Sequence, residues 1–178
     1  LFERLQVLMQ RNLALYAVHL PLDAHPQLGN NAGISAALGL TNCHPFGNYH
    51  GVEIGIAGCV PESRYPDGAT LDELLTITFG GREQCIAVLP FGTERIRTVG
   101  LVSGGGTKLI GQAIEAGLDL YITGDASHEI YHEALEANIN VVFAGHYATE
   151  TWGVRNMMAH TASHTDLMTT FIDAPTGL

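Results

Sequence analysis

The sequence predicts an α/β protein with mixed sheets covered by helices, and three observations carry that expectation. From Arg97 to Asp173, short apolar β-prone runs alternate with helix-length segments at spacings that suit crossover units in a sheet. Hydrophobic residues make up 46% of the chain and charged residues 15%, the profile of a well-packed globular enzyme rather than of a disordered or coiled-coil chain. The 21 glycines punctuate the pattern, and 178 residues are enough to bury most of the apolar surface without a disulfide or a metal staple.

Taken in order, Leu1, Leu5, Leu8 and Met9 form the apolar stripe of a first helix. Leu13 to Val18 is a β-prone run ending at His19, Asp23 to Pro26 is a polar turn, and Asn30 or Asn31 caps a helix running to Leu40. The stretch from Thr41 to Asp67 is rich in Gly, Pro, His and Asn and shows one strand, Val52 to Val60. Leu71 to Phe79 has helical spacing and is stopped by Gly80-Gly81. Cys85 to Leu89 and Ile96 to Ser103 are strands, and Gly104-Gly105-Gly106 leads into a helix from Lys108 to Ala116. Then follow a strand at Leu118 to Thr123, a helix at Ser127 to Ala137, a strand at Ile139 to Ala144, a helix at Thr149 to Ala162, and a last strand at Leu167 to Asp173. No repeat or low-complexity tract interrupts this order.

The formal net charge is -10, from 18 acidic residues against 8 Lys plus Arg, and the basic residues form no cluster. Nucleic acid and anionic lipid surfaces draw their affinity from clustered Lys and Arg, so neither is an expected partner. No apolar run approaches membrane-spanning length. Cys43, Cys59 and Cys85 are widely spaced and include no C-x-x-C pair, which suits reduced thiols in the cytoplasm.

Two segments carry the candidate chemistry. In Leu20-Pro21-Leu22-Asp23-Ala24-His25 a carboxylate follows a strand end, where open α/β sheets place ligands, and His19 lies four residues before it. Taken alone, Asp23 is more readily a turn or cap residue than a ligand. In Ala144-Gly145-His146-Tyr147-Ala148-Thr149-Glu150, His146 and Glu150 stand four apart at a helix start and can face one point, a pairing suited to Zn, Fe, Mn or Ni. The bland alternative is a Glu favoured by the helix dipole and a His that only hydrogen-bonds nearby.

Gly104, Gly105 and Gly106 join a strand to a helix and either hold an anion on their N–H groups or form a plain tight turn. They match neither a Walker loop nor G-x-G-x-x-G. His128 and His132 are four apart behind Gly124-Asp125, with His132 the candidate to support a site residue. His160 and His164 repeat the spacing near a helix C-terminus, where a solvated His is favoured by the dipole.

Read together, HLPLDAHPQLGNN, GGGT, YITGDASHEIYHEA and AGHYATETWGVRN, ending in TFIDAP, resemble the Nif-three-like family in its short bacterial form, whose members are labelled GTP cyclohydrolase I type 2 homologues. The resemblance implies a two-lobed architecture, here residues 1–40 with 119–178 against 41–118, and a dinuclear centre of divalent metal ions. The ligands it implies are Asp23, His146 and Glu150. The family's earlier ligands are an adjacent His-His pair, and no His-His dipeptide occurs in this sequence. The chain also starts at Leu1, so an N-terminally incomplete member is expected, holding at most one metal with open positions.

The activity implied is metal-dependent hydrolysis of a small, nucleotide-like substrate, with His132 or His19 as proton shuttle and Gly104 to Gly106 as a phosphate loop. The alternative is a non-catalytic metal-binding scaffold, metal-delivery factor or regulatory protein. Either way the resemblance implies a homo-oligomer, in the form of a toroidal hexamer.

Overall fold

Strands of four to nine residues assemble into one six-stranded mixed sheet in the computed structural model, which describes residues 1–177. The order along the chain is α1 (Phe2–Gln10), α2 (Leu20–Asp23), α3 (Asn30–Leu38), β1 (Thr41–Tyr49), β2 (Val52–Cys59), α4 (Leu71–Phe79), β3 (Ala87–Pro90), β4 (Thr98–Val102), α5 (Ile110–Glu115), β5 (Leu120–Thr123), α6 (Ile130–Ala137), β6 (Asn140–Phe143) and α7 (His146–His164). The spatial order is β1-β2-β4-β5-β6-β3. Strands β4, β5 and β6 are parallel, and β1, β2 and β3 extend the sheet antiparallel on either side.

Side chains alternate across the sheet, as a period of two requires. Leu120 and Ile122 of β5 pack on one face with Ile34, Leu38, Leu74 and Leu75, while Tyr121 between them packs on the other with Phe46, Ile110 and Ala134. Both faces are therefore covered, which is why β5 and β6 are buried at every position. Helix α3 reaches α7 across one face, and Gly33 permits this, because a Cβ there would lie 2.8 Å from Trp152 Cβ.

The strand register places the site. Val102 pairs with Thr123 and Thr123 with Phe143, so the three parallel strands end side by side. Ser103-Gly104, Gly124-Asp125 and the Ala144 to His146 turn all leave the sheet at this edge, the edge where parallel strands place ligands.

Several elements differ from expectation. Strand β1 runs through Pro45 and Gly47, which disguise it in the sequence; as an edge strand it tolerates a residue that cannot donate to a ladder. Asn30 and Asn31 are not caps: Gly29 occupies the cap position, and both asparagines lie inside the first turn of α3 with their side chains turned inward. Helix α7 starts at His146, three residues earlier than expected. Leu13 to Val18 forms no regular element, and no strand among the described residues pairs with it. Leu167 to Asp173 is likewise no strand; it lies back along α7, where Tyr147 Oη donates to Asp173 Oδ1 at 2.6 Å and Arg155 sits 3.8 Å over the Phe171 ring. No helix among the described residues is long and apolar enough to cross a membrane.

Candidate metal centre

The frame of the site is built by the loops that leave β4 and β5. Gly104 has φ +63°, a left-handed conformation that favours glycine. Its carbonyl accepts from Gly124 N–H at 2.9 Å, Asp125 N–H at 3.0 Å and Thr123 Oγ1 at 3.2 Å, and its N–H donates to Thr149 Oγ1 at 3.0 Å. One residue thus ties the ends of two strands to the first turns of α7. Space also demands glycine here, because a Cβ would collide with Glu150 Oε1 and lie 3.2 Å from His146 Nε2.

Asp23, at the end of the single-turn α2, is 7% exposed. A buried carboxylate must be hydrogen-bonded, and Asn30 of α3 supplies the shortest bond to it. Asn30 Nδ2 donates to Asp23 Oδ1 at 2.6 Å while its own Oδ1 accepts from Gly153 N–H of α7 at 2.6 Å. Ser103 Oγ adds a 3.4 Å contact to the same oxygen, leaving Oδ2 with no hydrogen bond among the described residues. Asn31 donates to the carbonyls of Ile54 and Asp23 and accepts from Ser103 N–H at 2.8 Å. The carboxylate is therefore held by Asn30 of α3 and by Ser103, which follows β4, while Gly153 of α7 fixes the Asn30 amide.

On α7, the i, i+4 spacing brings His146 Nε2 to 3.1 Å from Glu150 Oε1, and His146 Nδ1 lies 2.8 Å from Asp125 Oδ1. Burial by itself lowers the basicity of the His146 imidazole, but the hydrogen bond to Asp125 and the charges of Glu150, Asp125 and Asp23 outweigh it and hold it above the ordinary histidine range. Burial pushes the Glu150 carboxyl up, with Asp23 adding to the effect and His146 and His19 opposing it. Carboxylates crowded around imidazoles, in a half-buried cleft, are a donor set that a cation would relieve.

His19, Asp23 and Glu150 each bring a ligand atom within 4.8 Å of the others, so the structure places His19 among the candidate ligand atoms. His146 adjoins this trio through Glu150. His132 does not join: it is exposed on α6 with its ring against Tyr131, and no hydrogen bond reaches it from the cluster. In the glycine loop, Gly104 and Gly106 spend their N–H groups on Thr149 and Thr123, leaving only Gly105 outside these bonds. His160 and His164 stack on each other at the far end of α7.

Sequence reasoning does not single out Asp125, Asn30, Asn31 and Thr149 as site residues. A signal exists for Asp125, which follows a strand end just as His146 does. For the asparagines and Thr149 there is none, since their partners are distant in the chain. Beside the cluster a cavity of about 600 Å³ opens, lined by Asp125, His146 and Glu150 on one side and by Val154, Phe171 and Ile172 on the other.

Comparison with known proteins fits this geometry to a family. Residues 2–176 match the family model described as Duf34/NIF3 (NGG1p interacting factor 3). The chain is 38% identical over 205 residues to a protein of Treponema pallidum named GTP cyclohydrolase 1 type 2 homolog, with 99% of this chain and 72% of the relative covered. A relative of the same name from Deinococcus radiodurans is 42% identical over 178 residues, covering 99% of this chain and 65% of its own length. The structure of TTHA1606 from Thermus thermophilus superposes with a TM-score of 0.83 at 37% identity, covering 98% of this chain and 66% of the other. That of reduced HcgD from Methanocaldococcus jannaschii does so with a TM-score of 0.73 at 26% identity, covering 93% and 63%. This chain spans about two thirds of the length of these relatives. It belongs to the Duf34/NIF3 family.

Proposed function

We propose that the strand-end cluster is a divalent metal centre and that the protein is a metal-dependent hydrolase of a small, nucleotide-like substrate. The observation that carries this is the convergence of His19, Asp23 and Glu150 within 4.8 Å, with His146 beside Glu150. Two imidazoles and two carboxylates suit Zn, Fe, Mn or Ni alike. They fit one ion with open positions; the second ion of a dinuclear centre would draw on further donors. A cation held there supplies Lewis acidity, polarising a substrate oxygen and acidifying water at neutral pH.

The residues of the chain do the rest. Asn30 and Ser103 fix the Asp23 carboxylate, Gly104 leaves room for Glu150, and Val154, Phe171 and Ile172 give the cavity an apolar lining. The nucleotide-like substrate rests on the name carried by the relatives. Three free cysteines, Cys43, Cys59 and Cys85, support a reducing, cytoplasmic setting.

The test is hydrolysis of GTP and of a panel of phosphate esters and cyclic amides with zinc or manganese supplied, for the wild type and for Glu150→Ala. Turnover lost in Glu150→Ala, with the fold intact, is the expected result. A metal-loaded wild type inert towards the whole panel would contradict the hydrolase.

One observation favours a second role as a scaffold in a homo-oligomer. Helix α1 buries no residue, and Leu13, Leu15 and Tyr16 are all exposed. Large apolar side chains exposed this densely along one stretch of chain suit an interaction surface. Sedimentation that shows a monomer at all concentrations would count against it.

A further inference from the structure

The His146 ring presents one nitrogen to Glu150 and the other to Asp125, and the two contacts are not equal. Nδ1 lies 2.8 Å from Asp125 Oδ1, and Nε2 lies 3.1 Å from Glu150 Oε1. An ionised carboxylate only accepts hydrogen bonds; the Nδ1 contact has hydrogen-bond geometry and needs a proton on Nδ1, whereas the Nε2 contact is an ion-pair distance without that geometry. Glu150 belongs to the ligand trio, whereas Asp125 does not. The ring therefore has a cluster side, Nε2, and a support side, Nδ1.

Asp125 is built to give that support. Its N–H donates to the Gly104 carbonyl at 3.0 Å, and its own carbonyl accepts from Thr107 Oγ1 at 3.1 Å, so its backbone is clamped between the glycine loop and the turn that precedes α5. His146 is fixed just as firmly. It is the first residue of α7, follows Gly145 with φ 100°, and its carbonyl accepts from Thr149 Oγ1 at 3.0 Å. Gly104, which spaces Glu150 and His146, accepts the Asp125 N–H and donates to Thr149, so one residue couples both halves of the arrangement.

We propose that Asp125 is a positioning residue that holds His146 as the Nδ1–H tautomer and turns Nε2 towards the His19, Asp23 and Glu150 cluster. Free histidine favours the opposite tautomer, with the proton on Nε2, which would leave the cluster side without a lone pair. Metal-binding histidines commonly donate their second N–H to a carboxylate, and losing that partner typically costs about 10- to 100-fold in metal affinity. The inference rests on the proposed metal centre for its consequence, while its premise, the tautomer, is a property of the metal-free protein.

The test uses the whole chain, uniformly labelled with nitrogen-15 and free of metal, through a pH series carried to the alkaline plateau of the ring nitrogen shifts. There the shifts report the tautomer, and the His146→Gln variant identifies which of the nine histidines is His146. The wild type is expected to show the proton on Nδ1, and Asp125→Ala to return it to Nε2, where Glu150 can accept it. Asp125→Asn keeps an acceptor oxygen in place and is expected to retain the wild-type tautomer. In parallel, zinc titration is expected to show affinity falling about 10- to 100-fold in Asp125→Ala and less in Asp125→Asn, with unchanged circular dichroism. A proton on Nε2 in the wild type, or on Nδ1 in Asp125→Ala, would overturn the proposal, as would equal zinc affinity in all three. If the wild type binds no zinc, the metal centre fails, yet the tautomer still decides the role of Asp125.

Discussion

The middle of the chain and its two ends both carry apolar runs and place them in opposite environments. Between Ile34 and Ala144, apolar residues find partners on both faces of the sheet, and Leu101, Leu120 and Val142 are wholly buried. In α1, in Leu13 to Val18 and in Leu167 to Ile172 residues of the same kind stay in the open, with Leu15 at 77% exposure and Met168 fully exposed. Hydrophobic pattern gives a segment its tendency, and a neighbouring strand or helix face decides whether that tendency becomes burial. The candidate site lies where the two regions meet: Asp125, His146 and Glu150 come from the packed sheet edge and α7, while His19 is carried by the exposed run that ends on α2.

The sharpest break between the regions is a pair of substitutions. Ile122→Ala removes a side chain from the middle of the sheet and is expected to cost about 2 to 5 kcal/mol in denaturant unfolding. Gly104→Ala comes next. It forces a side chain into a left-handed backbone and against Glu150, with an expected loss of about 1 to 3 kcal/mol and a weakened zinc affinity in the same titration.

Leu15→Ser lies at the other extreme, with an expected change within about 0.5 kcal/mol at low protein concentration. A loss of several kcal/mol there would show that the terminal segment is packed in solution and would erase the contrast. The smallest effect concerns thiols. Burial, helped by the Glu83 charge, pushes the Cys85 thiol up to about 11, whereas Cys43 is exposed. Only the thiolate is nucleophilic, so Cys85 stays protonated and slow at pH 8 and gains reactivity as pH rises towards 11. Mass spectrometry after brief alkylation is expected to find Cys43 modified first.

Much of the parallel half of the fold is legible in the sequence, because β4, α5, β5, α6, β6 and α7 follow one another with short connections and the correct periods. Strand β1 is not, since Pro45 and Gly47 are strand breakers whose cost vanishes at an open edge. The two terminal runs look like strands because β-propensity is local, while a strand needs a partner that no local signal reports. In the site, Asp23, His146 and Glu150 are marked by the family resemblance rather than by position: His146 follows the end of β6, but the run before Asp23 is no strand and Asp23 closes the single turn of α2. What stays hidden is the support: the Asn30 and Asn31 side chains, and the Thr149 hydroxyl on Gly104, link positions 7 to 123 residues apart.

The most direct measurement is the anomalous diffraction of crystals grown with zinc, collected on both sides of the zinc absorption edge. The expected result is a peak bounded by His19, Asp23 and Glu150, with His146 Nε2 turned towards it and Nδ1 on Asp125. A well-ordered cluster with no anomalous density, or zinc bound only at other residues, would contradict the assignment of this strand-end cluster as a metal centre.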